Sequence, residues 1–178
     1  MSDILCVYYS RTGNTRNTCE AIAAELEAET LELKDDVKRD GFLGWLRCGM
    51  DAVSRSTRPL RPYETDRPLT DYKLVLIGTP IWAGRCSSVT RAFLKERGAE
   101  LNNVAYVVTR SGESKFREVY RQMDGYLPQP HLFGVSLRSD SVGCHFWQEQ
   151  FIRTVREWLG GAGGRAKEKN DAGKAERD

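Results

Sequence analysis

Residues 72–80 read YKLVLIGTP, apolar at consecutive positions rather than at alternate ones. A strand of that kind has no face to give to water, so both of its faces must be covered. Similar runs recur along the chain: DILCVYY (3–9), the shorter TLELK (30–34), NVAYVVT (103–109) and PHLFGVSL (130–137). Amphipathic stretches with helical spacing lie between them, at 16–29, 87–98, 115–125 and 145–160. The second of these has a serine in front and a glycine behind, a capped helix. Five strands alternating with helices predict an α/β fold, a parallel sheet sandwiched between two helical layers. In such sheets ligands bind beyond the carboxyl ends of the strands. The loops that matter are therefore those after strands 1, 3 and 4.

Two segments stand outside this plan. Residues 35–68 are too long for a simple crossover and contain GFLGWLRCGMDAVSR, in which Phe42, Leu43, Trp45, Leu46, Met50 and Val53 can share one apolar face. Four roles are open to that face: packing as an extra helix, capping the sheet edge, covering a ligand or meeting a partner. From residue 160 the chain turns to GGAGGRAKEKNDAGKAERD, which predicts a disordered polar tail over 160–178 after a single domain at 1–159.

Composition narrows the function classes. The formal net charge of 178 residues is +2, too small a field to argue for nucleic acid. No apolar run approaches the roughly 20 residues needed to span a bilayer, and MSDILCVYYS does not read as a signal peptide. The five cysteines are odd in number and scattered, which argues against a disulfide framework and against a zinc or iron–sulfur site. Reduced thiols point to a cytoplasmic protein. There is no nucleophile elbow for a hydrolase, so His131 reads as a core residue and His145 as a helix-terminal one.

The first loop, SRTGNT (10–15), joins a buried strand directly to a helix. Such a turn aims unpaired backbone N–H groups and the positive end of the helix dipole at one spot. Ser10, Thr12, Asn14 and Thr15 add neutral donors, and Gly13 permits close approach. The alternative is that these residues only cap the helix. Neither the Walker lysine nor the dinucleotide glycine pattern is present. The second loop, GTPIWAGRCSS (78–88), holds Trp82 at the carboxyl edge, either exposed for stacking or folded onto the next helix. Cys86 in that loop is either a reactive thiol or a buried small residue. The third loop is TRSGES (109–114), short and polar around Gly112.

Together, SRTGNT after strand 1, GTPIWAG after strand 3 and, more loosely, TRSGES after strand 4 resemble the flavodoxin family, in order and spacing over residues 3–159. The resemblance implies a five-stranded parallel sheet of order 2-1-3-4-5, with 35–68 as a helical insertion between strands 2 and 3, and a bound FMN. It implies that Ser10, Arg11, Thr12, Gly13, Asn14 and Thr15 hold the phosphate. Thr79, Pro80, Ile81, Trp82, Ala83 and Gly84 would line one face of the isoalloxazine, with the Ala83–Gly84 peptide near flavin N5 and able to reorient on reduction. Thr109, Arg110, Ser111, Gly112 and Glu113 would line its other side and pyrimidine edge. The chemistry would belong to the flavin, with no catalytic side chain and no metal.

The chain departs from the acidic electron carriers of that family in being nearly neutral, with Arg85 and Arg110 in the flavin loops. Three functions follow as expectations: an electron-transfer flavoprotein serving a redox partner protein, an FMN-dependent NAD(P)H oxidoreductase using a small acceptor such as a quinone, or a flavin-free binding module of the same fold.

Overall fold

The computed structural model describes residues 2–37, 41–112, 118–138 and 141–175, with side chains to residue 161. Strands β1 (Ile4–Tyr8), β2 (Glu29–Glu32), β3 (Leu74–Trp82), β5 (Val104–Arg110) and β6 (Phe133–Arg138) form one parallel sheet in the order β2-β1-β3-β5-β6. This is the expected five-strand order. The structure adds β4 (Arg85–Cys86), a two-residue strand that pairs antiparallel with the end of β3. Helices α1 (Asn14–Glu25), α3 (Ser88–Arg97) and α4 (Glu118–Asp124) lie in the crossover connections that a parallel sheet requires, and α5 (Cys144–Ala175) follows the last strand. The backbone of α5 thus takes in much of the segment 160–178, whose side chains beyond 161 lie outside the described residues. The same holds for the first residues of the helix expected at 115–125.

The continuous apolar strands divide between two cores by residue parity. Leu5 and Val7 of β1, Val75 and Ile77 of β3, and Tyr106 and Val108 of β5 pack beneath Val89 and Phe93 of α3 and Val119 and Met123 of α4. Their neighbours Ile4, Cys6, Leu74, Leu76, Ala105 and Val107 pack beneath Cys19 and Ile22 of α1 and Phe151 and Val155 of α5. Both faces of the sheet are covered, as the runs demanded.

Ser87 caps α3, its Oγ accepting from Thr90 N at 3.0 Å. The insertion folds into α2 (Gly41–Val53), which packs against α3 and the β3–β4 hairpin. Its large apolar face is not what it buries. Phe42, Leu43, Trp45, Leu46, Met50 and Val53 are all exposed, while Gly44, Cys48, Asp51 and Ala52 face inward. Among the described residues, no helix is long and apolar enough to cross a membrane, and no cluster of three or more His, Cys, Asp or Glu residues is placed to hold a metal. His131 precedes β6 rather than lying within it, half-buried with Nδ1 2.9 Å from Asp124 Oδ1.

Candidate functional site

The carboxyl edges of β1, β3 and β5 gather the three loops into one cleft of about 670 Å3. Gly13 begins the first wall. It is the N-cap of α1 with φ +96°, a left-handed conformation that side-chain-bearing residues rarely adopt. A glycine there supplies no side-chain cap to the first turn of α1. Ser10 Oγ instead accepts from Gly13 N at 3.1 Å and shapes the turn. Thr15 is buried, its Oγ1 2.7 Å from Thr109 Oγ1, a bond that ties the first loop to the third. Arg16 turns away to Glu32, with Nε donating at 3.1 Å. This end of the cleft is lined by Arg11, Thr12, Asn14 and Thr15.

The second wall is the β3–β4 hairpin. Trp82 pairs with Arg85 across a two-residue turn, and both turn residues have positive φ, Ala83 at 46° and Gly84 at 73°. These are the dihedral signs of the tight primed turns that match strand twist. Gly84 takes the conformation freely, whereas Ala83 is strained by about 1 kcal/mol. Replacing Ala83 with glycine is expected to relieve that strain against some loss of chain entropy, a net gain of roughly 0.5 kcal/mol. A rise in Tm of a degree or two would register it, and a fall would show that Ala83 is not strained.

Trp82 packs against the core cluster that holds Val89 and Phe93 of α3. Its indole meets Tyr9 edge-on, with ring centroids 5.5 Å apart and planes at 87°, and stays half-buried at the cleft. Thr79 is wholly buried, its Oγ1 accepting from Ser87 N at 3.1 Å, so its hydroxyl fixes the return of the hairpin. Burial pushes the Cys86 thiol up from its ordinary pKa, against the pull of the Arg91 guanidinium beside it. Cys86 is thus the buried small residue and not a reactive thiol.

The third wall is the end of β5. Arg110 is held by two bonds, Nε to Ser136 Oγ at 3.1 Å and Nη1 to the Gly112 carbonyl. Arg11, Thr12, Asn14 and Thr15 from the first loop, Pro80, Ile81 and Trp82 from the second, and Thr109, Arg110 and Ser111 from the third line the same cleft. Ala83, Gly84 and Gly112 line an adjoining cavity. Ser10, Gly13 and Thr79 shape the walls without lining either, Arg85 lines neither, and Glu113 lies outside the described residues.

Three residues of this site were not among those expected. Trp45 of α2 lines both cavities. Its place in an amphipathic insertion left open packing, a partner surface and a cover over the ligand, and its lining of both cavities fits the last of these. Ser136 holds Arg110, and Arg91 holds α2; a lone serine in a strand and an arginine in a helix carry no sequence signal of either role.

No protein-family model matches the sequence, and no curated protein matches it. Solved structures do. A flavoprotein from Lactobacillus acidophilus, solved in complex with FMN, superposes with a TM-score of 0.63 at 23% identity, covering 83% of this chain and 99% of that one. A putative flavoprotein from Bacteroides eggerthii gives 0.68 at 19% identity, covering 90% and 97%. One from Bacteroides uniformis gives 0.65 at 22% identity, covering 89% and 98%. At such identities the likeness is one of fold, and the fold of this chain is the flavodoxin-like α/β sandwich that these flavoproteins share.

Proposed function

We propose that this protein binds FMN without covalent attachment and transfers electrons through it. One observation carries the reading: the uncapped N-terminus of α1 and the aromatic hairpin at Trp82 open into a single cleft. The first suits a phosphate and the second a flat ring system, and FMN has both. The Lactobacillus flavoprotein of the same fold was solved with that ligand.

The residues present fit the group. Gly13 keeps the helix start clear of side chains, and Arg11, Thr12 and Asn14 supply donors around the phosphate. Trp82, braced by Tyr9, offers a ring face and edge, and Thr109, Arg110 and Ser111 offer polar groups to the opposite side. Bound FMN would supply the redox chemistry. The chain's part is to hold the phosphate, fix the ring against the hairpin, keep water from one side of it, and present Arg110 as a tethered cation.

Replacing Asn14 with aspartate separates this reading from a purely structural one by sign. Asn14 is exposed at the first position of α1. A carboxylate there favours the helix by roughly 0.5 kcal/mol through the dipole, so the FMN-free protein is expected to be slightly more stable. The same charge repels a phosphate, so FMN affinity is expected to fall at least about tenfold. Thermal unfolding and a flavin fluorescence titration measure the two, and unchanged FMN affinity would contradict the phosphate assignment.

A second reading is an FMN-dependent NAD(P)H oxidoreductase with a small acceptor such as a quinone. The apolar cavity between α2 and the hairpin favours it, because a carrier that meets only proteins has no use for an interior space there. Bleaching of the flavin band by NADPH alone, under anaerobic conditions, supports the enzyme. A band unchanged by NADPH supports the carrier.

A further inference from the structure

One pole of the molecule carries nearly all of its exposed apolar side chains. Of the ten large hydrophobic residues exposed among the described residues, six lie on α2 and three, Val142, Phe146 and Trp147, follow the carboxyl end of β6. Both groups stand at the carboxyl edge of the sheet, α2 through its packing on the β3–β4 hairpin. Phe42 and Leu43 are 73% and 78% exposed and line neither cavity, so a ligand in the site leaves them bare. Apolar patches of this kind with a polar rim mark docking surfaces.

The charge around this face selects its occupant. Residues step by about 100° around a helix. That step places Phe42, Leu46, Met50 and Val53 on the outward stripe of α2, with Arg47 at its rim. Gly44, Cys48 and Asp51 take the buried side. Arg55 and Arg58 follow in the exposed chain after the helix. Asp51 is the one carboxylate within 41–58, and it is buried. The exposed charges of the segment are thus all positive, and none of the three arginines has an ion-pair partner among the described residues. A second copy of the chain fits this poorly. A two-fold contact through α2 would bring like charges together with no exposed carboxylate of the segment to meet them. An anionic bilayer fits it well, because aromatic and aliphatic side chains on one face with arginines at the boundary make up a helix that lies in a lipid interface.

We propose that the α2 face docks the protein on an anionic lipid surface. Phe42 and Leu43 enter the boundary between headgroups and acyl chains, and Arg47, Arg55 and Arg58 meet the lipid phosphates. The proposal does not rest on the FMN reading, because none of these five residues lines either cavity of the site.

The test is co-sedimentation of the full chain with two kinds of vesicle, phosphatidylcholine alone and phosphatidylcholine with one third phosphatidylglycerol. It compares wild type, Leu43→Asp and the double variant Arg47→Gln, Arg58→Gln. All three positions are exposed, so the substitutions leave both cores intact. Wild type is expected to bind the mixed vesicles at least about tenfold more tightly than the neutral ones, and more weakly as salt rises. Leu43→Asp is expected to weaken that binding at least about tenfold. The double variant should weaken it about twenty-five-fold, at about fivefold for each arginine. Equal affinity for the two vesicles overturns the proposal, as does binding that Leu43→Asp leaves unchanged. A monomer that ignores mixed vesicles overturns it and leaves the face to an acidic protein. A wild-type dimer that Leu43→Asp converts to monomer, read by light scattering, gives the face to a second copy and overturns it too. Vesicle binding in the expected pattern by a protein that takes up no FMN upholds the docking and refutes the flavin reading instead.

Discussion

Arg91→Leu is expected to destabilise the protein by about 4 kcal/mol, the largest single effect outside the hydrophobic cores. Arg91 is 4% exposed, and its guanidinium donates to three carbonyls from three segments. Nη1 reaches Asp51 O at 3.3 Å and Ser56 O at 3.1 Å, and Nη2 reaches Cys86 O at 3.0 Å. Leucine would keep the apolar stem and strand these carbonyls in a buried setting. Each unsatisfied group costs about 1–3 kcal/mol. The loss is local as well as global, because α2 buries only small residues and a carboxylate and depends on this clamp. Urea unfolding gives the total, and hydrogen exchange should show α2 losing protection before the sheet does. Arg91→Lys keeps the charge without the fork and should recover about half of the loss. A loss below about 1 kcal/mol for Arg91→Leu would mean that α2 is held by something else.

Gly78→Ala is expected to cost about 3 kcal/mol, at the upper end for overpacking by one methyl group. Gly78 lies opposite Tyr8 in the β1–β3 ladder, under α1. A Cβ there would sit 2.3 Å from Cys19 Sγ and 2.7 Å from Tyr8 Cβ. Neither atom can yield easily: Cys19 is wholly buried and Tyr8 is fixed by strand pairing. Relief requires α1 to lift from the sheet, which carries its N-terminus away from the hairpin. FMN affinity should therefore fall along with stability. Cys19→Ala in the same chain removes the closer clash and should restore part of the loss, leaving the Tyr8 contact. A Gly78→Ala protein as stable as wild type would show that α1 has more slack than this packing allows.

The sheet was legible because its strands are uninterrupted apolar runs separated by helical spacing, and because parity alone divides their residues between the two cores. The hairpin was not. The apolar run over 72–80 ends in Gly-Thr-Pro, which reads as the close of the strand. The strand runs on to Trp82 because Gly78 O accepts from Tyr9 N, so the backbone groups two residues later point the same way, past the end of β1. Pro80 there gives up a bond that no strand is present to make. The α2 face was legible as apolar, but its direction was not. Periodicity shows that a stripe exists, and only the clamp from Arg91 and the small residues beneath decide which side faces in. The three candidate loops were readable from the glycines at the switch point, whereas Trp45 enters the site from an insertion whose position no local pattern specifies.

The central claim is an anion pole joined to an aromatic wall, and comparing FMN with riboflavin addresses it most directly. Titrating each into the purified protein, followed by flavin fluorescence, should show one FMN bound per chain and riboflavin bound at least about a hundredfold more weakly, the share carried by several charge-assisted bonds to the phosphate. Equal affinity for the two, or no binding of FMN at all, would contradict the assignment of the 10–15 loop to a phosphate.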